Sequence, residues 1–212
     1  MRISWLGHAC FLIETKGVKL VTDPYDPSIG YPPYDVKADV VTESHQHFDH
    51  NAHKFVKGNP KIIDSAGEFE YEHLKITGIE TFHDSERGRY RGKNIVYKIS
   101  DGEYTLLHMG DIGHVPGQNI TDLMKPVDVL MIPVGGTFTV DAKQAVEIVE
   151  ILKPKLVIPM HYKTTYLKFE ISSVDEFAKY FKRIEYVRGT IDLGEFLSKP
   201  IDVLIFEDIV RL

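Results

Sequence analysis

One histidine-rich segment constrains the fold of this chain more than any other feature of its sequence. The run His45-Gln46-His47-Phe48-Asp49-His50 follows closely on Val40-Val41-Thr42, an apolar stretch typical of a buried strand. Alternate residues of an extended chain point to the same side, so the first two histidines of the run can bind one cation together. Where the chain turns away from the strand, the aspartate and the last histidine of the run can bind a second cation next to the first. The segment therefore predicts a sheet edge at which ligands for two closely spaced metal ions meet.

The chemistry of these side chains limits the choice of metal. Imidazole nitrogens combined with a carboxylate suit Zn²⁺ first, with Mn²⁺ or Fe²⁺ as alternatives. A His-x-His pair also occurs on the first strand of barrel-type amidohydrolases, but such eight-stranded barrels typically need about 250 residues. The present chain has 212 residues and several strand-like runs before the pair. We therefore expect a different fold that holds two divalent metal ions.

Length and composition indicate a single domain over residues 1–212, and the histidine run makes it a candidate metallo-hydrolase domain. Hydrophobic residues make up 43% of the chain and charged residues 26%, which is ordinary for a soluble protein. No apolar run is long enough to cross a bilayer, the N-terminus lacks the pattern of a signal peptide, and the single cysteine excludes an internal disulfide. We expect a cytoplasmic location from these features.

The charge of the chain bears on its partners. A formal net charge of −6 argues against long nucleic acid and favours a small-molecule substrate, whereas no pattern indicates an oligomeric state. One basic cluster stands apart, in which Arg87, Arg89, Arg91 and Lys93 alternate with Gly88, Tyr90 and Gly92. It is either a solvated hairpin or an anion-binding loop for a charged substrate group, and the sequence leaves both interpretations open.

Short β-rich runs dominate the pattern of the chain, and helices are few. Helices are predicted over residues 139–152 and 174–181, with Thr139 as a cap, and a further helix just after His50. Many strands in two halves of like character favour an α/β fold of two packed sheets with helices outside. The predicted strands are residues 3–6, 10–15, 18–22, 38–42, 61–64, 71–82, 94–99, 104–108, 127–133, 155–159 and 203–206.

Six short motifs, taken in order, resemble the metallo-β-lactamase superfamily of metal-dependent hydrolases. They are Trp5-Leu6-Gly7-His8-Ala9, residues 44–50 with the histidine run, Thr81-Phe82-His83, Met109-Gly110-Asp111-Ile112-Gly113, Pro133-Val134-Gly135-Gly136 and Ile158-Pro159-Met160-His161-Tyr162. Within the superfamily the chain looks closest to the compact branch that contains ascorbate-6-phosphate lactonase-like proteins and N-acylphosphatidylethanolamine phospholipase D. The resemblance implies a four-layer αβ/βα sandwich with metals at one edge, between two mixed sheets.

The same resemblance implies a complete set of metal ligands. His45, His47 and His83 would bind the first metal, Asp49, His50 and His161 the second, and Asp111 would bridge them. Asp111 and His161 each follow a predicted strand, so both side chains are expected at a strand tip. His108 competes with His83 for the third position at the first metal; we assign His83 as the ligand and His108 as a supporting neighbour.

Other residues are expected around the metals rather than on them. His8 lies in the first hairpin turn, and His114 follows the Gly110-Asp111 turn; either can line the site or simply pack there. The backbone amides near Gly135 and Gly136 are candidates for binding an anionic group, although a glycine pair is more often only a turn.

The expected activity is hydrolysis of an ester, lactone or phosphodiester bond in a small anionic molecule. A hydroxide that bridges the two metals would be the nucleophile, and Asp49 would orient it and accept its proton. Three alternatives remain open at this stage: a nuclease acting on RNA or DNA, a non-haem iron redox protein of the same fold, and a non-catalytic metal-binding module.

Overall fold

Two β-sheets form the framework of the molecule. The structure, a computed structural model, describes residues 1–211, so Leu212 at the end of the predicted domain lies outside the described residues. The strands of the smaller sheet are β1 (Arg2–Gly7), β2 (Cys10–Thr15), β3 (Val18–Thr22), β4 (Val40–Thr42), β5 (Lys61–Ile63) and β13 (Thr190–Asp192). Those of the larger sheet are β6 (Gly67–Tyr71), β7 (Leu74–Phe82), β8 (Lys93–Ser100), β9 (Thr105–His108), β10 (Val129–Pro133), β11 (Leu156–Met160), β12 (Ile184–Val187) and β14 (Val203–Phe206).

The order of the strands brings several strand ends to one edge. The smaller sheet runs β13-β1-β2-β3-β4-β5 and the larger one β12-β14-β11-β10-β9-β8-β7-β6. Strands β3, β4 and β5 are parallel to one another, as are β9, β10, β11 and β14. Because β8 is antiparallel to both β7 and β9, β7 runs in the same direction as β9. The carboxyl ends of β7, β9, β10 and β11 therefore share one edge of the larger sheet.

The inner faces of the sheets share one apolar core. Strands β4, β10 and β11 are buried along their whole lengths, as expected for parallel strands that are covered on both sides. One polar contact also crosses the core: the buried Tyr97 hydroxyl of β8 lies 3.1 Å from the Glu43 carbonyl oxygen and 2.9 Å from that of Ile63. The core and this contact fix the position of one sheet relative to the other.

Four short helices lie outside the sheets: α1 (Gln118–Met124), α2 (Ala142–Leu152), α3 (Asp175–Ala178) and α4 (Leu193–Leu197). The longest, α2, buries Ala145, Ile148 and Leu152. It begins later than predicted because Asp141, not Thr139, caps it: the Asp141 carboxylate accepts from the Gln144 amide, and the Gln144 side chain accepts from the Asp141 amide. No helix within residues 1–211 is long and apolar enough to cross a membrane.

The α/β sandwich is confirmed, and several local predictions need correction. The strand predicted over residues 71–82 begins only at Leu74, as β7, because the chain turns at Glu72 with a positive φ of 52° and Tyr71 is the last residue of β6. The helix predicted after His50 is only a short 3-10 turn at His53–Phe55, and the helix predicted over 174–181 shortens to α3. Strands β6, β12 and β13 and helices α1 and α4 were not predicted, since their short mixed sequences show little periodicity.

Candidate metal centre

The candidate metal centre is assembled from residues that follow strands in both sheets. The turn after β4 carries the histidine run, and its helical hydrogen bonds from the His50 and Asn51 amides to the His47 carbonyl redirect the chain. His83 follows β7, Asp111 follows β9, and His161 follows β11. These three segments belong to the larger sheet, so the centre spans the gap between the two sheets.

Asp111 lies at the centre of the cluster. Its Oδ2 atom is 3.2 Å from Nε2 of His50, 3.2 Å from Nε2 of His161 and 3.3 Å from Nε2 of His83. Three groups have ligand atoms within 4.8 Å of one another: His45, His47 and His83; His8, Asp49, His50 and His161; and His45, His50 and Asp111. The first two groups bring together the residues of the two expected ligand sets, with His8 as an additional member of the second, and Asp111 forms the third group with His45 and His50. The assignment of these residues to two metal ions stays a prediction.

The donor atoms of this cluster fit divalent cations. Nε2 of His45, Nε2 of His50, both ring nitrogens of His161 and Oδ1 of Asp111 are buried without a hydrogen-bond partner among the described residues. Buried polar atoms without partners are costly, and they are rare in folded proteins. A cluster of imidazoles around a carboxylate is also the donor set that Zn²⁺, Mn²⁺ and Fe²⁺ accept. These unpaired buried ring nitrogens and the carboxylate oxygen therefore indicate a binding site for such ions.

The electrostatics of the cluster favour the exchange of a proton for a cation. Burial, reinforced by the neighbouring His50, lowers the pKa of His45 to about 3, so this imidazole is neutral at pH 7. Burial opposes the charge on Asp111, but His161 and His50 outweigh it and hold the pKa of its carboxyl well below the usual range. Burial likewise opposes the charge on His50, yet Asp111 and Asp49 raise its pKa well above 6.5. Metal binding would therefore release a proton from His50.

A buried carboxylate that the sequence did not reveal orients two of the histidines. Asp23 follows β3, and its Oδ2 lies 2.9 Å from Nδ1 of His50. Asp23 also accepts hydrogen bonds from the Ser44 amide at 2.7 Å and from the Ser44 hydroxyl at 2.6 Å. Because the Ser44 proton points to Asp23, its Oγ accepts from Nδ1 of His45 at 2.9 Å. Both imidazoles thus donate through Nδ1, which leaves Nε2 of His45, and Nε2 of His50 after release of its second proton, as the atoms that could bind a cation.

His8 lies closer to the centre than its predicted place in the lining. It is fully buried in a left-handed turn, with φ of 54°, and its Nε2 is 3.3 Å from Oδ2 of Asp49. Its ring centroid is 4.1 Å from that of His161, whose amide donates to the His8 carbonyl at 3.3 Å. Burial and the nearby His161 lower the pKa of His8 to about 4, so its ring is neutral at pH 7. A neutral His8 can donate a hydrogen bond to the Asp49 carboxylate.

His108 is a buried structural neighbour of the cluster. Its Nε2 donates to the Ala9 carbonyl at 2.8 Å, and its Nδ1 accepts from the Gly110 amide at 3.3 Å. Among the described residues, neither ring nitrogen of His108 is hydrogen-bonded to Asp111. The Asp111 amide is held instead by the Asn94 side-chain oxygen at 2.9 Å, and Asn94 Nδ2 donates to the Met109 carbonyl. Asn94 is a second supporting residue that the sequence did not reveal.

The remaining predicted residues lie outside the three ligand groups. His114 is half-buried, stacks near Phe82 and has its Nδ1 3.2 Å from the Val115 carbonyl oxygen. Gly135 packs so closely on the His161 carbonyl that a Cβ would lie 2.3 Å from that oxygen, and Gly136 adopts a positive φ of 62°. Both glycines are therefore required by the turn after β10. Roles for His114, Gly135 and Gly136 in substrate binding stay predictions.

Two cavities open beside the cluster. The one directly over the ligands has a volume of about 270 Å³ and is lined by His47, Phe48, Asp49, His83, Arg91, Asp111, Phe138 and Phe169. A second cavity of about 540 Å³ lies on the other side of His47 and Arg91 and also contacts Ser44, Gln46, Asp64 and Glu80. The cluster is therefore reachable by a small molecule, and Asp49 and Asp111 face the space that such a molecule would occupy.

A fold of two mixed sheets with a His/Asp cluster at one edge defines a class of metal-dependent hydrolases. Residues 2–161 match the family model of the beta-lactamase superfamily domain. A UPF0173 metal-dependent hydrolase from Carboxydothermus hydrogenoformans is 33% identical over 195 residues, covering 77% of this chain and 85% of the relative. Its counterpart from Thermoplasma acidophilum is 31% identical, covering 96% of this chain and 99% of the relative.

A solved structure agrees with these sequence matches. A Thermotoga maritima protein, assigned as a zinc-dependent hydrolase of the metallo-β-lactamase superfamily, is 44% identical, with a TM-score of 0.83 and coverage of 97% of both chains. The chain described here belongs to the metallo-β-lactamase superfamily and, within it, to the UPF0173 family of metal-dependent hydrolases.

Proposed function

We propose that this protein hydrolyses an ester, lactone or phosphodiester bond in a small anionic molecule, with two divalent metal ions as cofactors. The observation that carries the proposal is the grouping of ligand atoms around Asp111 beneath a cavity of molecular size. Zn²⁺ is the first candidate for the donor set, with Mn²⁺ and Fe²⁺ as alternatives. The substrate class is chosen because such a site favours attack of water on a polarised carbonyl or phosphoryl group.

The proposed ligands divide between two ions. One ion would be held by His45, His47 and His83, the other by Asp49, His50 and His161, with Asp111 shared between them. When bound, the two cations lower the pKa of a water molecule and polarise the scissile carbonyl or phosphoryl group. The Asp23 carboxylate would keep the imidazoles of His45 and His50 in the tautomer that leaves Nε2 free.

Asp49 is the proposed proton acceptor. Burial disfavours its charge, but His50 and the hydrogen bond from His8 outweigh burial, so the pKa of the Asp49 carboxyl is lowered and the group is ionised at pH 7. The carboxylate both lines the cavity and belongs to a ligand group, so it can orient a water molecule and take its proton. His8 would act as a positioning residue that fixes the carboxylate through its contact of 3.3 Å.

Metal analysis followed by activity assays tests this proposal. The purified protein is analysed for Zn, Mn and Fe, then stripped with a chelator and reloaded with Mn²⁺ or Zn²⁺. Turnover is then measured with a chromogenic phosphodiester, a lactone and a thioester. We expect turnover of at least one compound that disappears after chelation, returns with metal and is lost in Asp49→Asn.

Other outcomes would favour the alternatives left open by the sequence. Metal-dependent cleavage of RNA without turnover of any small compound would indicate a nuclease. Bound iron with oxidation of thiols would indicate a redox protein. Full metal occupancy without turnover of any compound would indicate a metal-binding module and would contradict the proposed hydrolase.

A further inference from the structure

Three phenylalanine rings arch over the candidate metal centre. Phe48 lies within the histidine run, Phe138 in the turn after β10 and Phe169 in the segment after β11. The ring centroids of Phe48 and Phe169 are 6.4 Å apart, and those of Phe138 and Phe169 are 6.0 Å apart, both with edge-to-face orientation. Phe48 is 53% exposed although it lies between two candidate ligands. All three rings line the cavity over the cluster, so a ligand bound there would contact an apolar wall.

The row of rings ends at a cation. The Arg91 guanidinium carbon lies 4.7 Å from the Phe138 ring centroid, and Arg91 lines both cavities beside the cluster. Within residues 1–211, no carboxylate oxygen lies within 4.0 Å of the Arg91 guanidinium nitrogens. Its neighbour Lys93, in contrast, pairs with Glu80 at 2.8 Å. Arg91 is therefore the half-buried cation of the basic cluster whose charge is available to an anion at the site.

The loop that carries Arg91 is held rigidly beside a candidate ligand. The Asp84 carboxylate accepts hydrogen bonds from the backbone amides of Glu86, Gly88, Tyr90 and Arg91, at 2.8 to 2.9 Å. The His83 amide donates to the Gly92 carbonyl at 3.1 Å, which closes the loop at its base. The backbone of Arg91 is thus held next to His83, and little ordering of the loop backbone is needed when a ligand binds.

The size of the space limits the apolar group. The cavity over the cluster measures about 270 Å³, whereas a cavity of roughly 150 Å³ is enough to hold benzene. One aromatic ring and a small head group therefore fit beneath the three phenylalanines. A long acyl chain would have to extend beyond this space.

We propose that the site binds an aryl-bearing anion, with its ring against Phe48, Phe138 and Phe169 and its anionic group on Arg91. This inference deepens the proposed function, on which it rests for the reacting bond. It resolves the open question of the basic cluster in favour of anion binding, and it assigns that role to Arg91 rather than to Arg87, Arg89 or Lys93. The rings would select the aryl group, and the guanidinium would select the charge next to the scissile bond.

Binding of two phosphonates tests the proposal without any need for turnover. Phenylphosphonate and methylphosphonate carry the same anionic group, and calorimetry measures the Kd of each for the metal-loaded protein. We expect the wild type to bind phenylphosphonate at least ~10-fold more tightly, because the phenyl ring buries additional apolar surface. Phe48→Ala should bring the ratio of the two Kd values closer to one, while Phe138 and Phe169 still contact the ring. Arg91→Gln should weaken both ligands ~10-fold or more, because it removes a charge-assisted hydrogen bond to the phosphonate.

Matched variants separate this role from general charge effects. Arg89→Gln removes a cation of the same loop whose guanidinium carbon lies 5.6 Å from the ring centroid of the exposed Tyr90. Lys93→Gln removes the cation that is paired with Glu80. Both should bind phenylphosphonate like the wild type, and Arg91→Lys should restore part of the affinity. Metal content is measured for every variant, so that loss of the metals is recognised.

The outcomes distinguish this inference from the proposed hydrolysis. Equal affinity of the wild type for the two phosphonates, no measurable binding of phenylphosphonate, or unchanged binding in metal-loaded Arg91→Gln would overturn it, even if the protein hydrolyses other compounds. Binding that depends on Arg91 and Phe48 supports it, even if every assay for hydrolysis is negative.

Discussion

The substitution Asp23→Asn should weaken the binding of both metal ions. Asparagine keeps the shape of the side chain and one carbonyl oxygen, which can still accept the Ser44 amide. In the wild type, Oδ2 of Asp23 lies 2.6 Å from the Ser44 Oγ and 2.9 Å from the His50 Nδ1. An NH₂ group at that position cannot accept a hydrogen bond from either of them. At least one buried donor therefore loses its acceptor, and His50 loses the partner that fixes its tautomer.

The size of the effect follows from the hydrogen bonds that Asp23 accepts. An unsatisfied buried donor costs ~1–3 kcal/mol, which we expect as the decrease in the unfolding free energy. Removal of a hydrogen-bond partner behind a metal-binding histidine weakens metal binding about 10–100-fold, which corresponds to ~1.4–2.8 kcal/mol. Because Asp23 contacts His50 directly and His45 through Ser44, the Kd of both ions should rise. Calorimetric titration of metal-stripped protein with Zn²⁺ or Mn²⁺ measures this.

Two further variants control the interpretation. Asp101→Asn changes another buried carboxylate, which accepts from the Thr15 hydroxyl at 2.6 Å and belongs to none of the ligand groups. It should lower stability by a similar amount without altering metal affinity. Ser44→Ala should weaken only the ion bound by His45. Wild-type affinity for both ions in folded Asp23→Asn would refute the orienting role of this carboxylate.

Three other predictions concern the metals and the proton acceptor. Metal-stripped protein should bind up to two ions per chain, and a titration that never exceeds one equivalent would contradict the two-metal centre. Each ion present at about 100 times its Kd should raise the unfolding free energy by ~2.7 kcal/mol, which corresponds to an increase in Tm of roughly 5–10 °C. His83→Ala should lose one ion by elemental analysis, whereas His108→Ala should retain both and lose activity about 10–100-fold; the reverse pattern would make His108 the ligand. Asp49→Asn should lower kcat at saturating metal by ~100-fold or more while circular dichroism remains unchanged; near-wild-type turnover would exclude Asp49 as the proton acceptor.

The sequence predicted the parts of the fold and site that depend on local pattern. Strands β1 to β3 are apolar runs with clear turns, and the histidine run indicates its chemistry within a few residues. Asp111 and His161 each follow a predicted strand, and this was enough to predict that both side chains lie at strand tips. Family resemblance assigned His83 to the first group, and the structure brings its ligand atom within 4.8 Å of those of His45 and His47.

What the sequence could not reveal depends on contacts between distant segments. Asp23 stands in a stretch with several prolines and a glycine, which is typical of an irregular loop, and its role requires that β3 and β4 be adjacent. An acidic residue directly after a buried strand was the available signal. Asn94 lies within β8, where nothing in the local sequence points to the Asp111 amide. The mouth of the site combines rings and a cation from four separate segments, so its composition required the tertiary structure.

The distribution of the ligands along the chain has a consequence for biosynthesis. The ligand groups span residues 8 to 161, and β11, which carries His161, pairs with β14 near the end of the chain. A growing polypeptide emerges from its N-terminus and can offer only part of the coordination sphere until β11 has docked. Metal capture should therefore be a late event, coupled to completion of the larger sheet. Acquisition of metal would then report that the segment carrying His161 has reached its place in the larger sheet.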